Sequence, residues 1–173
     1  VHKVSIVSRG SMGGHTSLLP DEDRYLWTEN QFSEMMSVTM GGRVAEQLIF
    51  DEVTTGASND LERATKIALG MIKRYGMSES LGPRTFGKRE EMVFLGRDMG
   101  EERDYGDKVA EQIDEEVRRL ITNAYTQAEE LLITHKPKLV RLAEYLIENE
   151  TVSGAALPQL FDEGNLGGEP GTP

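Results

Sequence analysis

The chain has no cysteine among its 173 residues, so disulfides and thiolate metal sites are excluded, and a reducing compartment is compatible but not required. It has no run of 18 apolar residues, and no segment reads as a membrane-spanning helix. Positive charge is scarce: 19 Lys and Arg stand against 30 Asp and Glu, a formal net charge of -11. That balance repels phosphate backbones, and with no local basic patch it argues against nucleic acid as a partner. Only three histidines occur, His2, His15 and His135, and no pair has the HExxH spacing that puts two imidazoles on one helix face. No GxSxG elbow nominates a serine nucleophile, and Arg9-Gly10-Ser11-Met12-Gly13-Gly14 lacks the GxxxxGK[ST] pattern of a phosphate loop. Val1-His2-Lys3 offers neither an initiator Met nor a signal peptide, and a strand-like run begins at once. That is the expectation for a chain cut from something longer.

What is present reads as one mainly helical domain over residues 1–163, followed by a glycine-rich tail, 164–173, with almost nothing to bury. Residues 2–8 read as a strand, and a second short strand over His15–Leu19 completes a small two-strand region. Thr28 and Gln31 have capping-box spacing. Phe32, Met35, Met36, Met40, Val44 and Leu48 then mark one apolar helix face to about Phe50. Gly41-Gly42 lies inside that helix and suggests a close-packed backbone or a bend.

After the loop DEVTTGAS, Asn59 and Glu62 suggest a second capping box. Leu61, Ala64, Ala68, Met71, Ile72 and Tyr75 form the stripe, and Gly76 the stop. Residues 77–104 read as a loop with at most a short strand, MVFL. A long helix from about Asp107 to His135 follows, with Val109, Ile113, Val117, Leu120, Ala124 and Leu131 on one side. Pro137 opens a last helix to about Asn149 with Leu139, Leu142, Ala143 and Leu146 inward, the two forming a helical hairpin.

Two carboxylates stand out. Asp60 lies in the first turn of a helix beside TTGAS, where a carboxylate complements the helix dipole and could equally be held out as a metal ligand. By spacing alone the dipole role is the simpler. Glu46 shares neighbouring helix faces with Arg43 and Gln47 and reads in isolation as a solvated helix glutamate.

The ordered string of motifs says more. VHKVSIVSRGSMGGHTSLLPDEDRY followed by GGRVAEQLIFDEVTTGASNDLERATKIALGMIKRYGMSESLG closely resembles the peptidase domain of the FtsH family of membrane-anchored AAA+ zinc proteases. The likeness is tight to about residue 88 and looser to about residue 161. It implies a mainly helical peptidase domain in a homo-hexameric ring, fed unfolded or membrane proteins by an upstream ATPase domain that binds ATP and Mg, on the cytoplasmic side or its organellar equivalent. It also implies zinc, held by the two histidines of an HExxH helix and an aspartate that matches Asp60. Glu46 falls at a family-typical glutamate near the metal helix, as a partner to a zinc ligand. Gly14, His15 and Thr16 resemble the edge strand that aligns substrate by strand addition.

HExxH occurs nowhere in the 173 residues. The resemblance places that helix, with two ligands and the general base, shortly upstream, so this chain alone is expected neither to retain zinc nor to cleave peptides. Loss of that helix is further expected to expose Met35, Met36 and Met40. The alternative reading is a non-catalytic relative that keeps the fold for ring assembly.

Overall fold

A computed structural model describes residues 1–8, 14–17, 26–87 and 104–161. The expected MVFL strand and the tail after 163 lie outside these residues. The chain is mainly helical, and it divides into two compact units: Val1–Tyr25 with Thr134–Pro173, and Leu26–Ile133.

In the first unit, β1 (Lys3–Ser5) pairs antiparallel with β2 (His15–Ser17) on one side and with β3 (Thr151–Ser153) on the other. The sheet order is therefore β2-β1-β3, and the small β region has three strands among the described residues where two were expected. The third comes from the far end of the chain. A left-handed Glu150 (φ 59) ends the preceding helix and turns the chain back, and Thr151, Val152 and Ser153 then register against Ser5, Val4 and Lys3. Backbone bonds from Ile6 to Glu150 and from Gly154 to His2 extend this ladder. Gly14 permits the close approach of β2, since a Cβ there would lie 2.8 Å from the Ser5 carbonyl oxygen. The last long helix of this unit, α4 (Lys136–Asn149), buries Leu146 and half-buries Leu139 and Leu142. Ala143 is exposed, contrary to the expected stripe.

The second unit is built on α1 (Glu29–Phe50), α2 (Ser58–Lys73) and α3 (Asp107–Thr134). At the start of α1 the capping box forms as read: Thr28 Oγ1 accepts from the Gln31 amide, and Gln31 Oε1 accepts from the Thr28 amide. Met36, Met40 and Val44 from α1, Ala64, Ala68, Met71 and Ile72 from α2, and Ile113, Leu120, Ala124 and Ala128 from α3 make the core. Met36 and Met40 are thus fully enclosed by this chain itself, and the expectation that they lie exposed does not hold.

Nor does the pair Gly41-Gly42 receive another backbone among the described residues: a Cβ on either would meet none of their atoms within 4 Å. Leu131 is exposed, because the buried line of α3 through Leu120, Ala124 and Ala128 continues to Leu132 instead. Tyr75 lies beyond the end of α2 and stacks on Phe32 at 5.5 Å. Gly76 does take the left-handed conformation (φ 61) expected of a helix stop.

Buried Glu116 on α3 fixes the segment after α2. It accepts from Ser78 Oγ at 2.8 Å and from Arg119 Nε and Nη2 at 2.8 and 3.0 Å. Arg119 chiefly, helped by Ser78, holds its carboxyl below the usual range against the opposing effect of burial.

Candidate functional site

The segment that carries Asp60 is organised from Thr54 onward. A single 3-10 turn, Thr55–Ala57, runs directly into α2 at Ser58. Ala57 provides no side-chain cap for α2. The cap sits further back, where Thr54 Oγ1 accepts the Gly56 amide at 3.1 Å. The expected capping box of Asn59 and Glu62 is therefore replaced, and Glu62 pairs instead with Lys66 one turn on. Thr54, the cap of the 3-10 turn, is itself held from outside that turn. Its hydroxyl donates to Glu46 Oε1 at 2.8 Å and its amide to Glu46 Oε2 at 3.1 Å.

Both oxygens of Glu46 therefore grip one residue of the loop. The Thr54 amide first, then its hydroxyl, and then the charge of Arg43 hold the Glu46 carboxyl below its ordinary range. Glu46 stays ionised, fixed to the loop rather than free in solvent.

Asp60 is the third residue of α2 and is half-exposed. Among the described residues its carboxylate has no hydrogen bond or ion pair, so its lone pairs are available to a ligand. A zinc ion takes such a carboxylate alongside imidazole nitrogens. The described residues nevertheless contain no group of three His, Cys, Asp or Glu that could hold a metal. Asp60 fits as one ligand of an incomplete set.

Gly14, His15 and Thr16 lie in the other unit, at the start of β2. Thr16 is exposed and His15 half-buried. Because β2 is outermost in the order β2-β1-β3, its far edge pairs with no strand among the described residues. The structure thus ties Glu46 to the loop ahead of Asp60, while the β2 residues belong to the other compact unit. Sequence reading missed Thr54; the repeated Thr54-Thr55 ahead of a Gly-Ala-Ser turn is the cap signal that could have found it.

Residues 1–160 match the sequence profile of peptidase family M41. The chain belongs to that family. Among M41 relatives, the ATP-dependent zinc metalloprotease FtsH 1 of Thermomicrobium roseum is 55% identical over 163 residues, covering 94% of this chain and 25% of that protein. The FtsH 1 of Sphaerobacter thermophilus gives the same figures. The FtsH of Bacillus subtilis is 45% identical over 167 residues, covering 96% of this chain and 26% of its own length. This M41 chain therefore spans about a quarter of the length of the curated relatives it matches.

Proposed function

We propose that the chain is the larger, helical part of the proteolytic domain of a membrane-anchored, ATP-dependent zinc endopeptidase, and that Asp60 is its carboxylate ligand to zinc. The observation that carries the reading is the Asp60 carboxylate, unpartnered among the described residues, at a helix start whose entry loop is tied down by Glu46, in a chain 55% identical to proteins named zinc metalloproteases. The remaining ligands and the general base belong to an HExxH helix upstream. Zinc, when bound, polarises the scissile carbonyl and acidifies a bound water.

The residues of this chain have separate tasks. Asp60 offers negative charge and an oxygen donor from a rigid helix start. Glu46 keeps the neighbouring loop in place and supports the metal site from behind. Gly14, His15 and Thr16 lie along a strand edge that pairs with no other strand among the described residues, and its backbone groups can align an extended polypeptide regardless of its sequence. The substrates are unfolded, damaged or membrane proteins, delivered by an upstream AAA+ domain with ATP and Mg in a homo-hexamer on the cytoplasmic side of the membrane.

Zinc content and casein hydrolysis, measured for this chain and for one extended upstream through HExxH, test the reading. The extended chain should hold about one zinc and cleave, and this chain should do neither. An extended chain that binds no zinc would refute it.

A further inference from the structure

We infer that Thr54 is a positioning residue for the metal ligand: it fixes where α2 begins and so where Asp60 is presented. The inference rests on the reading of Asp60 as a zinc ligand, and it adds a residue whose side chain need not touch metal or substrate.

Three hydrogen bonds converge on Thr54. Its amide and hydroxyl both donate to Glu46, at 3.1 and 2.8 Å, and its Oγ1 accepts the Gly56 amide at 3.1 Å. One hydroxyl thus joins the C-terminal part of α1 to the first turn of the segment that becomes α2. No other side chain caps that start, because Ala57 makes no cap bond and Asn59 and Glu62 form no box. Gly56 fits the same arrangement. A Cβ there would sit 3.1 Å from Thr54 Oγ1 and 3.6 Å from Glu46 Oε1, crowding the bond that its own amide makes.

From Thr55 the backbone runs through the 3-10 turn into α2 without a break, and Asp60 is the third helical residue. A shift in the first turn therefore passes directly to the ligand. Metal affinity is sensitive to such misplacement, because a carboxylate must meet zinc within a narrow distance range. On this account Glu46 influences the metal through Thr54, as the anchor of the loop.

The test uses the full-length protein and three variants: Thr54→Ala, Thr54→Ser and Asp60→Asn. In the zinc-free state, amide exchange over residues 54–58 should accelerate about fivefold in Thr54→Ala, the usual size of a lost threonine cap, and stay near wild type in Thr54→Ser. Zinc affinity, measured by competition with a chelator, should weaken about five- to tenfold in Thr54→Ala, a loss of the size seen on removing a partner of a metal ligand. Thr54→Ser should restore it, and Asp60→Asn should lose the metal. If Thr54→Ala accelerates exchange while zinc affinity stays at wild type and Asp60→Asn loses zinc, Thr54 is a helix cap only and the inference fails while Asp60 stands. Unchanged exchange in Thr54→Ala also overturns it. If Asp60→Asn binds zinc as well as wild type, the ligand reading falls and takes the inference with it.

Discussion

Glu116 is the best place to ask how much one buried carboxylate contributes to the helical unit. Its side chain is 7% exposed, whereas that of its partner Arg119 is 49% exposed. Removing the carboxylate therefore takes from buried Ser78 its 2.8 Å acceptor, leaving the hydroxyl its longer 3.3 Å contact with Ser80 Oγ, and leaves Arg119 free to recover water. A hydrogen bond to a charged group contributes about 1.5–3 kcal/mol, and the remaining Ser80 contact offsets part of the cost of leaving the Ser78 hydroxyl without its best acceptor. With the Arg119 bonds discounted for solvent, Glu116→Ala should destabilise by about 2–3 kcal/mol, and Glu116→Gln, which keeps one acceptor for Ser78, by about 1 kcal/mol.

The pH dependence supplies the sharper check. The Glu116 carboxyl is held below its ordinary range in the folded chain, so its ionised form binds less tightly to protons there than in the unfolded chain. Its contribution is fully present above the unfolded value of about 4.3 and is lost as pH falls through the lower folded value. Urea unfolding followed by far-UV circular dichroism should show wild type ahead of Glu116→Gln at pH 7, with the gap closing as pH falls below about 4.3. A gap that is constant with pH, or that widens toward acid, would refute the reasoning.

Three further outcomes are expected. Met71→Ala, at a fully buried position in the core, should cost about 2–5 kcal/mol in the same urea assay. Gly76→Ala places a side chain at φ 61 with its Cβ 3.1 Å from the Arg84 amide nitrogen, and should cost about 1–3 kcal/mol; a neutral result would contradict the observed helix stop. Gly14→Ala puts a Cβ 2.8 Å from the Ser5 carbonyl oxygen and should strip amide-exchange protection from residues 15–17 while leaving α1 and α2 protected.

Features written in local spacing were legible from the sequence. The Thr28–Gln31 box, the alanine and methionine stripe of α2, and the break between α3 and α4 at His135 all depend on neighbours within four residues. Features that depend on distant partners were not. Thr54, not Asn59, supplies the side-chain cap bond ahead of α2, on the 3-10 turn, and the Glu46 that holds it lies eight residues back on another helix. The strand Thr151–Ser153 is too short to show alternation and exists only through pairing with β1 at the other end of the chain. The candidate site was legible only through resemblance. A lone aspartate in a first helical turn has no pattern of its own that separates a ligand from a charge answering the helix dipole, and what the structure adds is that Asp60 is unpartnered among the described residues while its entry loop is tied down.

The claim that Asp60 is a zinc ligand is tested most directly by the zinc stoichiometry of the full-length protein, wild type against Asp60→Asn, after dialysis against a weak chelator. Wild type should retain about one zinc per chain and the variant close to none, with both equally folded by circular dichroism. Equal zinc in the two folded proteins would contradict the account.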